Sequence, residues 1–344
     1  MPLIIESASL APPVAKLRDR RERRGAITDR GRRLRIGLVN NMPDSALYAT
    51  ERQFARLIEA ASEEYDIRLT LVSLKSIPRE QEMQAAISET YRDARQIRLA
   101  SPDALVMTGA EPREASLSDE PFWGELTALM DWSRGGVVST LYSCLAAHAA
   151  AYHRDGVLRR KLVQKLSGVY ESEVVLAHEI TAGLQRMMTP HSRHNALAEC
   201  DLDAKGYLTL TRSPEAGADV FVKERETLEV FWQGHPEYDR DTLAREYRRD
   251  MLRFLRGERP RAPKAPAHYF DAEALAQIDA ALAGAKTGGA IETVVAALNS
   301  EALAPATAFW REAATQLMRN WLGAIARRKS AGQSTEFATA RWGG

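Results

Sequence analysis

The chain has 344 residues, 45% of them hydrophobic, enough for one large α/β domain or for one domain with an appendage. Its 47 basic and 46 acidic residues leave a formal charge of +1, which argues against nucleic acid or another polyanion as a partner of the whole chain. Two cysteines, Cys144 and Cys200, exclude a disulfide framework and fit a reducing cytoplasm; no apolar run reaches membrane-spanning length, and the N-terminus lacks the charged-then-apolar order of a signal peptide.

Residues 1–33 read as a basic N-terminal arm, with Lys16, Arg18, Arg20, Arg21, Arg23 and Arg24 around Asp19 and Glu22. Such a run reads as a solvated helical face or a frayed extension in preference to a contact for RNA, an acidic neighbour or CoA phosphates. The main domain is expected over residues 34–256. Residues 34–40 form an apolar first strand, and a turn-rich loop at 40–45 leads into an amphipathic helix over 47–61 with Phe54, Leu57 and Ile58 on one face. A second strand is expected at 65–74, one helix over 81–99, a third strand at 103–110 ending in a glycine turn, and a helix over 120–133. The β-branched run at 137–143 is the fourth strand. It stops at Cys144, and an alanine-rich helix follows at once. This β-α-β-α order implies a mostly parallel sheet with helices on both faces, with sites at the carboxyl ends of its strands, where Asn40, Gly109 and Cys144 fall.

Residues 165–170 open a more β-rich part, with short strands expected near 174–176, 207–211, 220–222 and 228–232 and a polar loop at 189–195. A helix over 239–255, with Asp239 as its N-cap, completes the main domain. Residues 257–330 are expected to be a proline-rich linker at 259–267 and C-terminal helices packing on the main domain. These are an alanine-rich segment over 271–298, broken near Gly288 and Gly289, and a last helix over 305–326 with Trp310, Leu317, Trp321 and Leu322 at core spacing. Residues 331–344 read as a flexible tail.

A strand, a sharp turn and a helix with Cys144 at the corner make a nucleophile elbow, and the helix N-terminus behind the sulfur favours thiolate. The competing reading is a buried structural cysteine. Far downstream, His235 and Glu237 sit two apart in an extended segment, so both side chains face one way; the imidazole can act as base and the carboxylate can orient it. His148, one helical turn after Cys144, is the rival base, although it points back along its helix. His153, His178, His191, His194 and His268 show no metal-ligand spacing, so no metal is expected. The backbone N–H groups of Leu145 and of Ala110 in the glycine turn are the candidate oxyanion hole. Glu246 and Arg249 share one helical face and suit the ammonium and carboxylate of an α-amino acid, unless they form an ordinary surface ion pair.

Residues 40–43, 50–53 and 108–110, Trp123, residues 139–141 with Cys144, then 165–170, 190–193, 234–239 and 249–250 occur in an order that resembles the homoserine O-succinyltransferase family of methionine biosynthesis. The resemblance runs from about residue 34 to 256, and Trp310-Arg311 with Asn320-Trp321-Leu322 resemble the family's C-terminal helix. It implies a fold like class I glutamine amidotransferases and ping-pong transfer of an acyl group from succinyl-CoA or acetyl-CoA, as substrate and with no cofactor, to the hydroxyl of L-homoserine. Cys144 would carry the thioester, His235 would act as base and acid, and Glu237 would orient it. Lys165, Ser192 and Arg249 match substrate-binding positions, with Arg193 and Glu246 as additions. The oligomeric state is left open, a homodimer among the options.

Several positions depart from the family pattern. Leu145 stands where Trp often follows the cysteine, residues 44–47 replace a more basic stretch, and residues 259–304 form an extra helical segment. Arg113 occupies the position linked to donor choice, and an arginine there can pair with a succinyl carboxylate, which favours succinyl-CoA over acetyl-CoA. A related hydroxy amino acid is an alternative acceptor. A glutamine amidotransferase is the rival enzyme, disfavoured because Ser143 and Leu145 stand where glycine usually flanks the cysteine. A non-catalytic binding protein on the same scaffold is the third reading.

Overall fold

The computed structural model describes residues 3–5, 33–286 and 291–341. The basic cluster of the N-terminal arm and the Gly288-Gly289 break lie outside the described residues. The first strands are β1 (Leu3–Ile5), β2 (Arg33–Val39), β3 (Asp66–Val72), β4 (Ala104–Met107) and β5 (Ser139–Ser143). They are followed by β6 (Arg160–Val174), β7 (Arg186–Ala196), β8 (Leu208–Thr209), β9 (Thr211–Ser213), β10 (Gly217–Ala218), β11 (Val220–Glu224) and β12 (Leu228–Trp232). Eight of these form one sheet in the order β1-β3-β2-β4-β5-β12-β11-β8, parallel as far as β12 and antiparallel beyond it. A second, antiparallel sheet has the order β10-β9-β6-β7.

The helices are α1 (Asp44–Ala61), α2 (Gln81–Thr90), α3 (Ala94–Ala100), α4 (Trp123–Gly136), α5 (Leu145–Asp155), α6 (Glu199–Asp203), α7 (Thr242–Leu255), α8 (Ala272–Lys286), α9 (Ile291–Ala297), α10 (Ser300–Leu303) and α11 (Arg311–Arg341). Strand residues alternate between two buried faces. Ile36, Leu38, Val106, Leu141 and Val230 pack with Phe54, Leu57 and Ile58 of α1 and Leu317, Trp321 and Ile325 of α11. Val39, Leu105, Met107, Tyr142 and Phe231 pack on the other side with Leu129 and Met130 of α4 and Ala147 and Ala150 of α5. The fold is therefore α/β, a mostly parallel sheet with helices on both faces and a C-terminal helix across one of them. A third core joins Leu243, Tyr247 and Met251 of α7 to Tyr269, Phe270, Ile278, Leu298 and Trp310.

Four local expectations are corrected. The helix over 81–99 is two helices. Tyr91 leaves α2 in extended geometry to place its hydroxyl 2.6 Å from the buried Glu51, Arg92 bridges to Val72, and Asp93 with Gln96 forms a capping box that starts α3. Residues 189–195 are not a loop but the middle of β7, paired with β6 through Ser167↔Ser192 and Val169↔Pro190. Thr189, His191 and Arg193 are buried and Ser192 bonds to Glu246, while His194 is exposed, so polarity there does not by itself signal solvent. Helix α7 starts at Thr242. Asp239 is not its cap, because its carboxylate pairs with Arg56 at 3.2 Å and Arg311 at 3.5 Å. The last helix starts at Arg311, not at 305, and is described as far as Arg341. Residues 3–5 of the arm add an edge strand to the sheet. The end of the linker is also tied down: Ala267 exchanges 2.9 Å backbone hydrogen bonds with Ser167 and Val169 of β6.

Candidate active site

Strands β5 and β12 are parallel neighbours, with Ser143 in register with Trp232. The residues that follow them, Cys144 and Gly234-His235, therefore leave the sheet side by side at its carboxyl end, and the Cys144 N–H donates to the Trp232 carbonyl at 2.7 Å. Cys144 has φ 52° and ψ −112°, a conformation that costs a side-chain-bearing residue about 1–3 kcal/mol and turns the chain abruptly from β5 into α5. The strain presents the half-buried sulfur at the corner. The Cys144 carbonyl accepts from Ala147 and His148, while the first N–H groups of α5 have no intrahelical acceptor. Gly109, at the end of β4, packs so closely that a β-carbon there would lie 3.2 Å from the Leu145 nitrogen. The glycine turn and the elbow thus share one corner, with Gly109, Ala110, Cys144 and Leu145 lining the same cleft.

The His235 side chain hydrogen-bonds to Cys144 and, through Nδ1, to Glu237 Oε1 at 2.8 Å. Burial pushes the imidazole toward its neutral form, but the charges of Cys144 and Glu237 and the hydrogen bonds to both outweigh it, so its pKa stands well above the ordinary 6.5. The His235 N–H donates to the Pro190 carbonyl at 2.7 Å, and the ring stacks on Tyr238 with centroids 4.3 Å apart. The Tyr238 hydroxyl donates to Glu246 Oε1 at 2.8 Å, while Glu246 Oε2 takes Lys165 at 3.2 Å and a short hydrogen bond from Ser192. Burial raises the Glu246 pKa, yet Lys165 and these hydroxyls hold the carboxyl below its usual range. Lys165 also meets Asp250 at 3.1 Å, and Asp250 in turn accepts from Arg249 and Arg259. Lys165, Ser192, Glu246 and Arg249 line a cleft of about 730 Å³ together with Cys144 and His235.

Two expected contacts lie elsewhere. Arg193 is buried away from the cleft, its guanidinium donating to the carbonyls of Asn195 and Ala216 and to His191 Nδ1. It alternates with Ser192 along β7, so the strand sends one side chain to the cleft and the next behind it. Arg113 is exposed on the loop after β4, where its N–H donates to Glu120; Glu111 lines the cleft instead. His148 is enclosed behind the elbow against Gln233, and burial, then the Arg193 charge, push it down to about 3. It stays neutral and does not reach the cleft. Cys200 is exposed on α6 beside Asp201 and Arg160. Tyr238, Asp250 and Arg259 are site residues that periodicity does not reveal; Tyr238 and Asp250 do lie inside the motif segments at 234–239 and 249–250. Among the described residues no group of three or more His, Cys, Asp or Glu is placed to hold a metal ion, and no helix is long and apolar enough to cross a membrane.

Comparison with known proteins shows the family of the chain. The model of the homoserine O-succinyltransferase family matches residues 20–331. The homoserine O-succinyltransferase of Methylorubrum extorquens is 48% identical over 300 residues, covering 86% of this chain and 88% of that protein. That of Rhodopseudomonas palustris is 44% identical, covering 94% and 96%, and that of Cardiobacterium hominis is 34% identical, covering 86% and 83%. Among solved structures, a glutamine amidotransferase from Methylobacillus flagellatus matches 85% of this chain and 95% of its own at 13% identity, with a TM-score of 0.47. On the family model and the relatives of similar length, the chain belongs to the homoserine O-succinyltransferase family.

Proposed function

We propose that the protein transfers a succinyl group from succinyl-CoA to the hydroxyl of L-homoserine through a thioester on Cys144. The observation that carries this reading is the strained elbow cysteine hydrogen-bonded to His235, whose other ring nitrogen is 2.8 Å from Glu237. The Cys144 thiolate attacks the thioester carbonyl carbon of succinyl-CoA. The oxyanion takes hydrogen bonds from the Leu145 and Ala110 N–H groups, worth about 10²–10³ in rate for one such donor. Collapse breaks the carbon–sulfur bond to CoA, and His235 protonates the departing thiolate. In the second half-reaction His235, now neutral, takes the proton of the homoserine hydroxyl as its oxygen attacks the acyl carbon, and Cys144 leaves as thiolate. Glu237 fixes the ring tautomer and stabilises the imidazolium.

The acceptor's head group fits the charged wall of the cleft. Glu246 is the acceptor for its ammonium, while Lys165 and Arg249 offer cations to its carboxylate, with Ser192 bridging. No cofactor is required by this scheme. Intact-mass measurement after exposure to succinyl-CoA tests it. The wild type and Cys200→Ala gain one succinyl group that L-homoserine removes, and Cys144→Ala gains none. Glutamine hydrolysis without an acyl adduct would reverse the assignment in favour of an amidotransferase-type hydrolase.

A further inference from the structure

Beyond the amino-acid pocket, α7 carries a stripe of arginines of which the transfer chemistry uses only Arg249. Arg245, Arg248, Arg249, Arg253 and Arg256 recur at three- and four-residue spacing, so they share one face, while Leu243, Tyr247 and Met251 on the opposite face are buried in the third core. Guanidiniums crowded along one helical face repel one another unless anions intervene. The available carboxylates do not supply enough of them. Asp241 and Asp250 take Arg245 and Arg249, and Glu258 reaches Arg253 only at 3.7 Å. Arg248 and Arg256 make no ion pair among the described residues, and Arg248 Nε is buried without a hydrogen-bond partner. These side chains border a hollow of about 480 Å³, which Glu111 and Ser45 close on the far side. Arg245, Arg249, Arg253, Ser45 and Glu111 line both this hollow and the cleft that holds Cys144, so the two are continuous.

We infer that the arginine ledge of α7 binds the phosphorylated nucleotide end of the acyl donor, with Arg248, Arg253 and Arg256 forking onto its phosphates. This assignment rests on the proposed use of an acyl-CoA. A donor whose thioester carbon lies at Cys144 carries its pyrophosphate and its 3′-phosphate at the far end of the pantetheine arm. From the elbow the cleft runs on to Arg245, Arg249 and Arg253 of the ledge. Planar guanidiniums match phosphate oxygens two at a time, which ordinary surface arginines facing water do not exploit. Glu111 and Glu258 sit at the border of the hollow and keep it from attracting anions indiscriminately.

The test compares succinyl-CoA with succinyl-pantetheine, which lacks the nucleotide, in the full-length protein and in Arg248→Ala/Arg256→Ala. The ratio of kcat/KM for the two donors falls by about tenfold or more in the double variant, the loss entering through KM for succinyl-CoA. An unchanged ratio, with folding verified by circular dichroism, overturns the assignment. Equilibrium titration with adenosine 3′,5′-bisphosphate gives a second reading that needs no turnover: the wild type binds it, and the double variant binds it about tenfold more weakly. Binding equally tight in both proteins, or inorganic phosphate competing as well as the bisphosphate, also overturns the nucleotide assignment. A wild type that consumes neither thioester yet passes the titration refutes the transfer reaction and leaves the ledge standing.

Discussion

Glu237 separates charge from geometry at the residue scale. One carboxylate oxygen meets His235 Nδ1 at 2.8 Å, while the other, Oε2, is buried with no hydrogen-bond partner. Glu237→Gln can keep the acceptor on the ring and put its amide nitrogen in the vacant direction, so the substitution removes the charge and little else. The His235 pKa is raised in the folded protein, with burial opposing and the charges of Cys144 and Glu237 prevailing. The stability linked to that raised value is fully present below the unfolded pKa of about 6.5 and is lost as pH rises through the folded value. In Glu237→Gln the ring gives up its proton at lower pH, so this loss starts earlier. Imidazole titration by NMR should show the midpoint moving down, and acyl transfer should slow by about 10²–10⁴. An unmoved midpoint would mean that Glu237 serves only to hold the ring. That Cys144, His235 and Glu237 come together was legible in the sequence because Cys144 directly follows one apolar strand and the segment 233–237 follows another. That Ser192 lines the cleft while Arg193 lies behind it was not legible, because a single polar segment gives no sign of which of two alternating residues faces the cleft.

The element that carries His235 is held from behind. Gly234 follows β12, donates its N–H to Asp219 Oδ1 at 3.2 Å and lies against β7. A β-carbon at this position would come within 2.4 Å of Thr189 Cγ2 and 2.9 Å of both Asp219 Oδ1 and His191 Cε1. All three neighbours are buried, so none of them can swing into solvent. Gly234→Ala should therefore destabilise the protein by about 1–3 kcal/mol in urea unfolding. It should also lower kcat more than it raises KM for succinyl-CoA, because the displaced residue is next to the base and not to the donor. Wild-type stability and turnover would show that β7 yields freely. The alternating apolar strands and their glycine turn could be read from periodicity, whereas β7 could not. Its residues 189–195 look like loop because their partners, Asp219, Glu246 and the Ala216 carbonyl, are distant in sequence. The division of residues 81–99 into α2 and α3 was hidden for the same reason: it depends on Tyr91 reaching Glu51.

Across the whole molecule, α11 and the residue before it grip the two strands that lead to Cys144 and His235 at opposite ends. Trp321, fully buried, donates from Nε1 to Ser139 Oγ at 2.9 Å, and that hydroxyl donates to the Leu228 carbonyl at 2.6 Å, so one indole ties the first residues of β5 and β12. Three turns earlier, the chain reaches the loop beyond those strands. Trp310 Nε1 donates to the Tyr238 carbonyl at 3.0 Å, and Arg311 donates to the same carbonyl at 2.7 Å and to the Glu237 carbonyl at 3.3 Å. The core spacing of Trp310, Leu317 and Trp321 was visible in sequence, but these polar grips on the active loop were not. The two grips should separate by mutation. Trp321→Ala empties a site in the main core and should cost about 3–5 kcal/mol, with turnover per folded molecule close to wild type because the strand bases are remote from the cleft. Trp321→Phe keeps much of the ring volume and should cost less, which guards against a variant that does not fold. Arg311→Ala removes donors from two backbone carbonyls flanking the His235 support. It should lower kcat and shift the His235 titration, with a smaller loss in unfolding midpoint than Trp321→Ala. If both substitutions instead lowered stability and kcat in proportion, α11 would act on the site only by keeping the chain folded.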